Sequence, residues 1–98
     1  MTKYLIPIHK ICETYQVSEL FFENLQEYNL ISLIKENNEF WIEENELNKI
    51  EKIMRLHFDL DINMEGIDVI ISLLNKINQL NKEIHFLQKQ LKIYEDLQ

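Results

Sequence analysis

Residues 8–28 read IHKICETYQVSELFFENLQEY, and the fold turns on how this stretch is parsed. Ile8, Ile11, Cys12 and Tyr15 share one side of a short helix over about His9–Tyr15. Gln16-Val17-Ser18 interrupts it. Ser18 suits the N-cap of a second helix running to about Tyr28, with its hydroxyl accepting from an early orphan N–H. Two short helices around so brief a turn predict a helix-turn-helix.

The flanks extend this reading. Upstream, Tyr4–Pro7 is β-prone and ends at a proline, which suits an edge strand. Downstream, Leu30–Ile34 and Phe40–Ile42 are apolar runs around the polar tip Lys35–Glu39, which predicts a hairpin, the wing of a winged helix. A third helix is expected over about Glu44–Leu60, with Leu47, Ile50, Ile53, Met54 and Phe58 on one face and an acidic first turn that suits the helix dipole. Residues 61–66 form a junction. From Met64 or Glu65 onward Ile70, Ile77, Ile84 and Leu91 recur every seven residues, as do Leu73, Leu80, Leu87 and Tyr94. Such an a/d register predicts a coiled coil. A helix of that length reaches roughly 40 Å, more than so small a core can cover. A second copy of the chain is the simplest partner, through Ile70, Leu73, Ile77, Leu80, Ile84, Leu87 and Leu91. The expected partition is a winged helix-turn-helix with its third helix over 1–62 and a dimerisation helix over 63–98. The fold class is mainly α.

Composition narrows the function. The chain has 98 residues and a formal net charge of −7, from 17 Asp+Glu against 10 Lys+Arg, so its surface repels phosphate and nucleic acid is an unfavoured partner. One glycine and one proline argue against an all-β fold rich in tight turns. A single cysteine, Cys12, excludes an internal disulfide framework and fits a reducing, cytoplasmic setting. No apolar stretch is long enough to span a bilayer, and Met1–Pro7 does not resemble a secretory signal. His9 and Cys12 offer half a zinc site, but His57 and His85 sit on other predicted helices with no matching cysteine pair. No glycine-rich phosphate loop occurs. The expectation is a non-enzymatic protein with no cofactor and no metal.

The second helix carries the functional signal. A DNA-reading helix presents Arg, Lys, Asn or Gln to bases and phosphates. Ser18–Tyr28 has no Lys or Arg; Glu19, Glu23 and Glu27 line one face instead. Val17, Phe21, Phe22, Leu25 and Tyr28 cluster on the other. Leu20 projects about 20° from Glu27 on the helical wheel, away from that cluster. A leucine among glutamates suits a basic, amphipathic partner, so Glu19, Leu20, Glu23 and Glu27 are the candidate partner-binding residues, with Glu43-Glu44-Glu46 as a possible extension. A solvated face without function is the competing reading.

Two resemblances bear on this pattern. Tyr4–Gly66 resembles the MerR-like winged helix through Ile8, Cys12, Gln16-Val17-Ser18 and Tyr28-Asn29-Leu30-Ile31. MerR-type regulators carry a Leu-Arg-Tyr-Tyr segment where this chain has Phe22-Glu23-Asn24-Leu25, so Glu23 stands where a phosphate-contacting arginine would be, and Asn29 replaces the usual glycine. Phe40-Trp41-Ile42 and the run Met54–Val69 are similar to the chaperone-modulator family CbpM, with its Arg-Leu…Leu-x-Ile/Leu-Asn/Asp-x-x-Gly-Ile pattern and leucine-rich final helix. That resemblance implies a protein that binds the J-domain of a DnaJ-like (CbpA-type) co-chaperone and blocks its coupling to Hsp70. The alternative is a MerR-type DNA-binding transcription regulator, and a third reading is a dimerisation module alone. Arg55 is expected as a structural ion-pair partner, Trp41 as core, and Gly66 as relief for backbone crowding.

Overall fold

The computed structural model describes residues 4–97. Their order is β1 (Leu5–Pro7), α1 (Ile8–Tyr15), α2 (Glu19–Glu27), β2 (Ile34–Glu36), β3 (Glu39–Glu43), a 3-10 turn (Glu44–Glu46), α3 (Leu47–Met54), a π-helical turn (Arg55–Asp59) and α4 (Met64–Asp96). The fold is mainly helical, a winged helix-turn-helix with a small antiparallel sheet and a long C-terminal helix. Two compact units divide the chain, one ending at Asp68 and one beginning at Val69.

In the first unit the fully buried side chains are Phe22 and Leu25 of α2, Ile42 of β3, Ile50 and Ile53 of α3, and Ile67 from the start of α4. Each contributes on the order of 1.5–3 kcal/mol by leaving water. Elements too short to be stable alone are therefore held by a shared interior. The sheet order is β1-β3-β2, so β1 is an edge strand, where Pro7 opposite Trp41 costs no needed donor. Ile6 pairs with Ile42 and Ile34 with Trp41.

Left-handed backbone at a chain with one glycine falls to other residues: Gln16, Asn29, Asn37, Asn38 and Asp61 all have positive φ. Asn37 and Asn38 form the two-residue tip of the wing, where consecutive left-handed residues match the twist of the strands. Asn29 ends α2: its N–H donates to the Gln26 carbonyl at 2.9 Å, and Leu30 N–H to the Leu25 carbonyl at 2.9 Å. This is the Schellman closure that usually takes glycine. It also corrects the expected first wing strand. Leu30 and Ile31 do not extend into β2 but turn inward and are buried beyond the end of α2, and β2 starts only at Ile34.

Two further expectations change. Ser18 occupies the N-cap position of α2 in extended backbone, yet its hydroxyl makes no capping bond; its carbonyl accepts from Phe21 N–H at 3.2 Å. The third helix does not run unbroken over 44–60. It begins as a 3-10 turn, is α-helical only over Leu47–Met54, and widens at Arg55, where the carbonyl accepts from Leu60 N–H, five residues on. Asp61, at φ 58°, then reverses the chain, and Ile62 N–H donates to the Leu56 carbonyl at 3.1 Å.

Candidate functional site

Helix α2 presents the four sequence-derived residues together. Glu19, Leu20, Glu23 and Glu27 are all exposed, Leu20 at 62%, while Phe21, Phe22 and Leu25 point into the core. Three carboxylates around an exposed leucine thus cover the outer side of the element that a helix-turn-helix offers to its target. The charge is not local to α2. Fourteen of the 17 acidic residues and six of the 10 basic ones lie at or before Asp68, which gives the winged unit a net −8. Carboxylates on such a surface steer cations in and phosphates away.

The motif around Met54–Gly66 has a structural explanation. Asn63 caps α4: its Oδ1 accepts from Gly66 N–H at 2.8 Å. A Cβ on Gly66 would lie 2.8 Å from Ile62 Cγ2 and 3.1 Å from Asn63 Oδ1, so glycine is the residue that fits. His57 is tied into the same turn. Its ring packs beside Phe21 (centroids 5.3 Å apart, stacked) and Phe58 (4.9 Å, edge-on), and Nδ1–H donates to the Ile62 carbonyl at 2.9 Å. Glu65 accepts from the Tyr28 hydroxyl at 2.6 Å, which holds its carboxyl below the ordinary value.

The widened turn also shapes a feature that periodicity did not reveal. An open groove of about 500 Å³ is lined by Tyr15 at the end of α1, by Gln16 and Val17 from the turn after it, and by Glu51, Met54, Arg55, Phe58 and Asp59. Phe58 is 55% exposed although it falls on the apolar stripe of the third helix. No sequence signal marks it: Phe58 sits where the helix changes pitch, and pitch is invisible to hydrophobic spacing. Arg55, expected as an ion-pair partner, stands on the rim of this groove and is exposed.

In the second unit, Leu73, Ile77, Leu80, Ile84, Leu87, Leu91 and Tyr94 of α4 are each at least half exposed; Ile70, at the head of the same register, is partly buried. Phe86 and Ile93 are also exposed, seven residues apart but off the a/d seam, a second apolar strip not read from the sequence. Trp41, expected in the core, is partly buried, and its indole N–H donates to the Glu36 carbonyl at 3.3 Å.

Burial, and then the Glu19 charge, push the Cys12 thiol up, so it is protonated at neutral pH. His9 is exposed. Among the described residues no group of three His, Cys, Asp or Glu is placed to hold a metal ion, and no helix is long and apolar enough to cross a membrane. With fold and surface in view, residues 6–98 match the description "MerR HTH family regulatory protein". The chain belongs to the MerR helix-turn-helix regulatory family. No curated protein matches it. MerR-family membership makes the chain a regulator in kind, and accounts for the winged unit followed by a long helix. On α2 this MerR-type protein presents Glu19, Glu23 and Glu27 to solvent.

Proposed function

We propose that this chain regulates by binding a protein: it captures the J-domain of a DnaJ-like co-chaperone and blocks the coupling of that co-chaperone to Hsp70. The observation that carries the reading is the exposed acidic face of α2, with Leu20 among Glu19, Glu23 and Glu27. J-domains offer a basic helix, so charge steers and orients the encounter while burial of Leu20 holds it. The CbpM-like run Met54–Val69 supports the same partner. The winged part, residues 1–62, supplies this surface, and the helix over 63–98 pairs with a second copy through Ile70, Leu73, Ile77, Leu80, Ile84, Leu87 and Leu91, of which all but Ile70 are at least half exposed. The site needs no cofactor, and the setting is the cytoplasm.

A second reading is favoured by the family match: a MerR-type transcription regulator that binds DNA. One pair of measurements separates the two. Titration calorimetry of the full chain with an isolated J-domain should show binding, weakened at least about tenfold by Glu23→Lys with Glu27→Lys. A gel shift with random duplex at low salt should show no retention. Salt-sensitive retention of duplex without J-domain binding selects the transcription regulator.

A further inference from the structure

We propose that the groove between the α1–α2 turn and the π-helical turn is the second half of the partner site, taking an apolar side chain and an adjacent cation from the basic helix that α2 attracts; this rests on the J-domain reading above. The groove and α2 are physically joined. Val17 lines it two residues before Glu19, and Phe58, which also lines it, packs its ring against Phe21 of α2 with centroids 5.1 Å apart. Both walls are held in place. Val17 N–H donates to the Cys12 carbonyl at 3.0 Å, Gln16 sits in left-handed backbone, and the opposite wall is closed by the Leu60-to-Arg55 and Ile62-to-Leu56 bonds. A surface ordered before binding loses little entropy when it is covered.

The chemistry of the lining selects the occupant. Val17, Met54 and Phe58 give an apolar floor and wall. Glu51, Arg55 and Asp59 line the groove as well, so its charged rim carries two carboxylates to one guanidinium, within a unit of net −8. Glu51 is further oriented by the Tyr15 hydroxyl, which donates to its Oε1 at 2.8 Å. An anion is repelled from such a rim, and an open groove covers too little of a small molecule to hold it. A side chain carried on a helix needs cover on one side only, and a Lys or Arg one turn away finds Asp59. The π-helical turn has a role in this account. By adding a residue to one turn it carries Phe58 off the buried stripe and out to the groove.

The test is calorimetry of the full chain with an isolated J-domain. Asp59 is exposed, and Asp59→Lys is expected to weaken binding about fivefold; Phe58→Ser removes the exposed aromatic ring and is expected to weaken it about tenfold or more. Asp59→Lys keeps the test valid if Phe58→Ser lowers the stability of the unit. Wild-type affinity in both variants, with binding still lost on reversing Glu23 and Glu27, overturns the groove and leaves the α2 reading standing. Absence of J-domain binding by the unaltered chain overturns both.

Discussion

Gly66→Ala is a sharp probe of the junction. Alanine is normally the better helix former, and in an open helix the exchange stabilises by about 0.5–1 kcal/mol. Here the new methyl meets Ile62 Cγ2 at 2.8 Å and Asn63 Oδ1 at 3.1 Å. Ile62 is β-branched and stiff, so the side chain that yields is Asn63, whose Oδ1 is the acceptor for the residue-66 N–H. Losing that cap costs about 1 kcal/mol. Residual crowding against Ile62 adds on the order of 1–2 kcal/mol. The net expectation is a loss of about 1–2 kcal/mol, or roughly 4–16 °C in Tm for a unit of this size. Trp41 is the single tryptophan and lies in the winged unit, so its fluorescence through a thermal melt reports the relevant transition. Asn63→Ala, which removes the cap without the methyl, should fall between wild type and Gly66→Ala. A Gly66→Ala chain that melts at or above the wild type refutes the crowding argument.

Two other expectations follow from pairings seen in the structure. The Tyr28–Glu65 hydrogen bond lowers the Glu65 pKa from its ordinary 4.5 and raises that of Tyr28 from 10.0. A lowered carboxyl contributes stability above its unfolded pKa and loses it as pH falls through the folded one; a raised phenol contributes below its unfolded pKa and loses it as pH rises through the folded one. The difference in urea midpoint between wild type and Tyr28→Phe should therefore be constant near neutrality and shrink both below about pH 4.5 and above about pH 10; a difference that is flat across the whole range shows that the bond is not made in solution. Leu80→Lys places a charge in the middle of the proposed self-pairing seam and should convert a dimer to the 12.0 kDa monomer in sedimentation equilibrium. A wild-type chain already monomeric at high concentration removes self-pairing through α4.

Local spacing was enough to place the helix-turn-helix, the edge strand, the wing and the long final helix, because the period of apolar residues is set by backbone geometry that each segment carries by itself. It was also enough to separate the two faces of α2: Phe21, Phe22 and Leu25 turned inward and Leu20 outward as the helical wheel requires. What periodicity missed lies where backbone hydrogen bonds choose between near-equal alternatives. Leu30 and Ile31 looked like a strand, yet the closure at Asn29 folds them inward. Phe58 sat on the apolar stripe, yet one wider turn brings it out to a groove.

The amino-acid sequence by itself determined the winged architecture, the charge of −7 and the absence of any cation on the helix that would meet DNA, since these depend only on residue type and spacing along one element. Only the tertiary structure decided that the Gly66 motif closes a helix cap, that His57 is locked against Phe21, and that Val17 and Phe58 line one groove. Those facts depend on atoms from separate turns arriving within a few ångströms of one another, and no single segment encodes that approach.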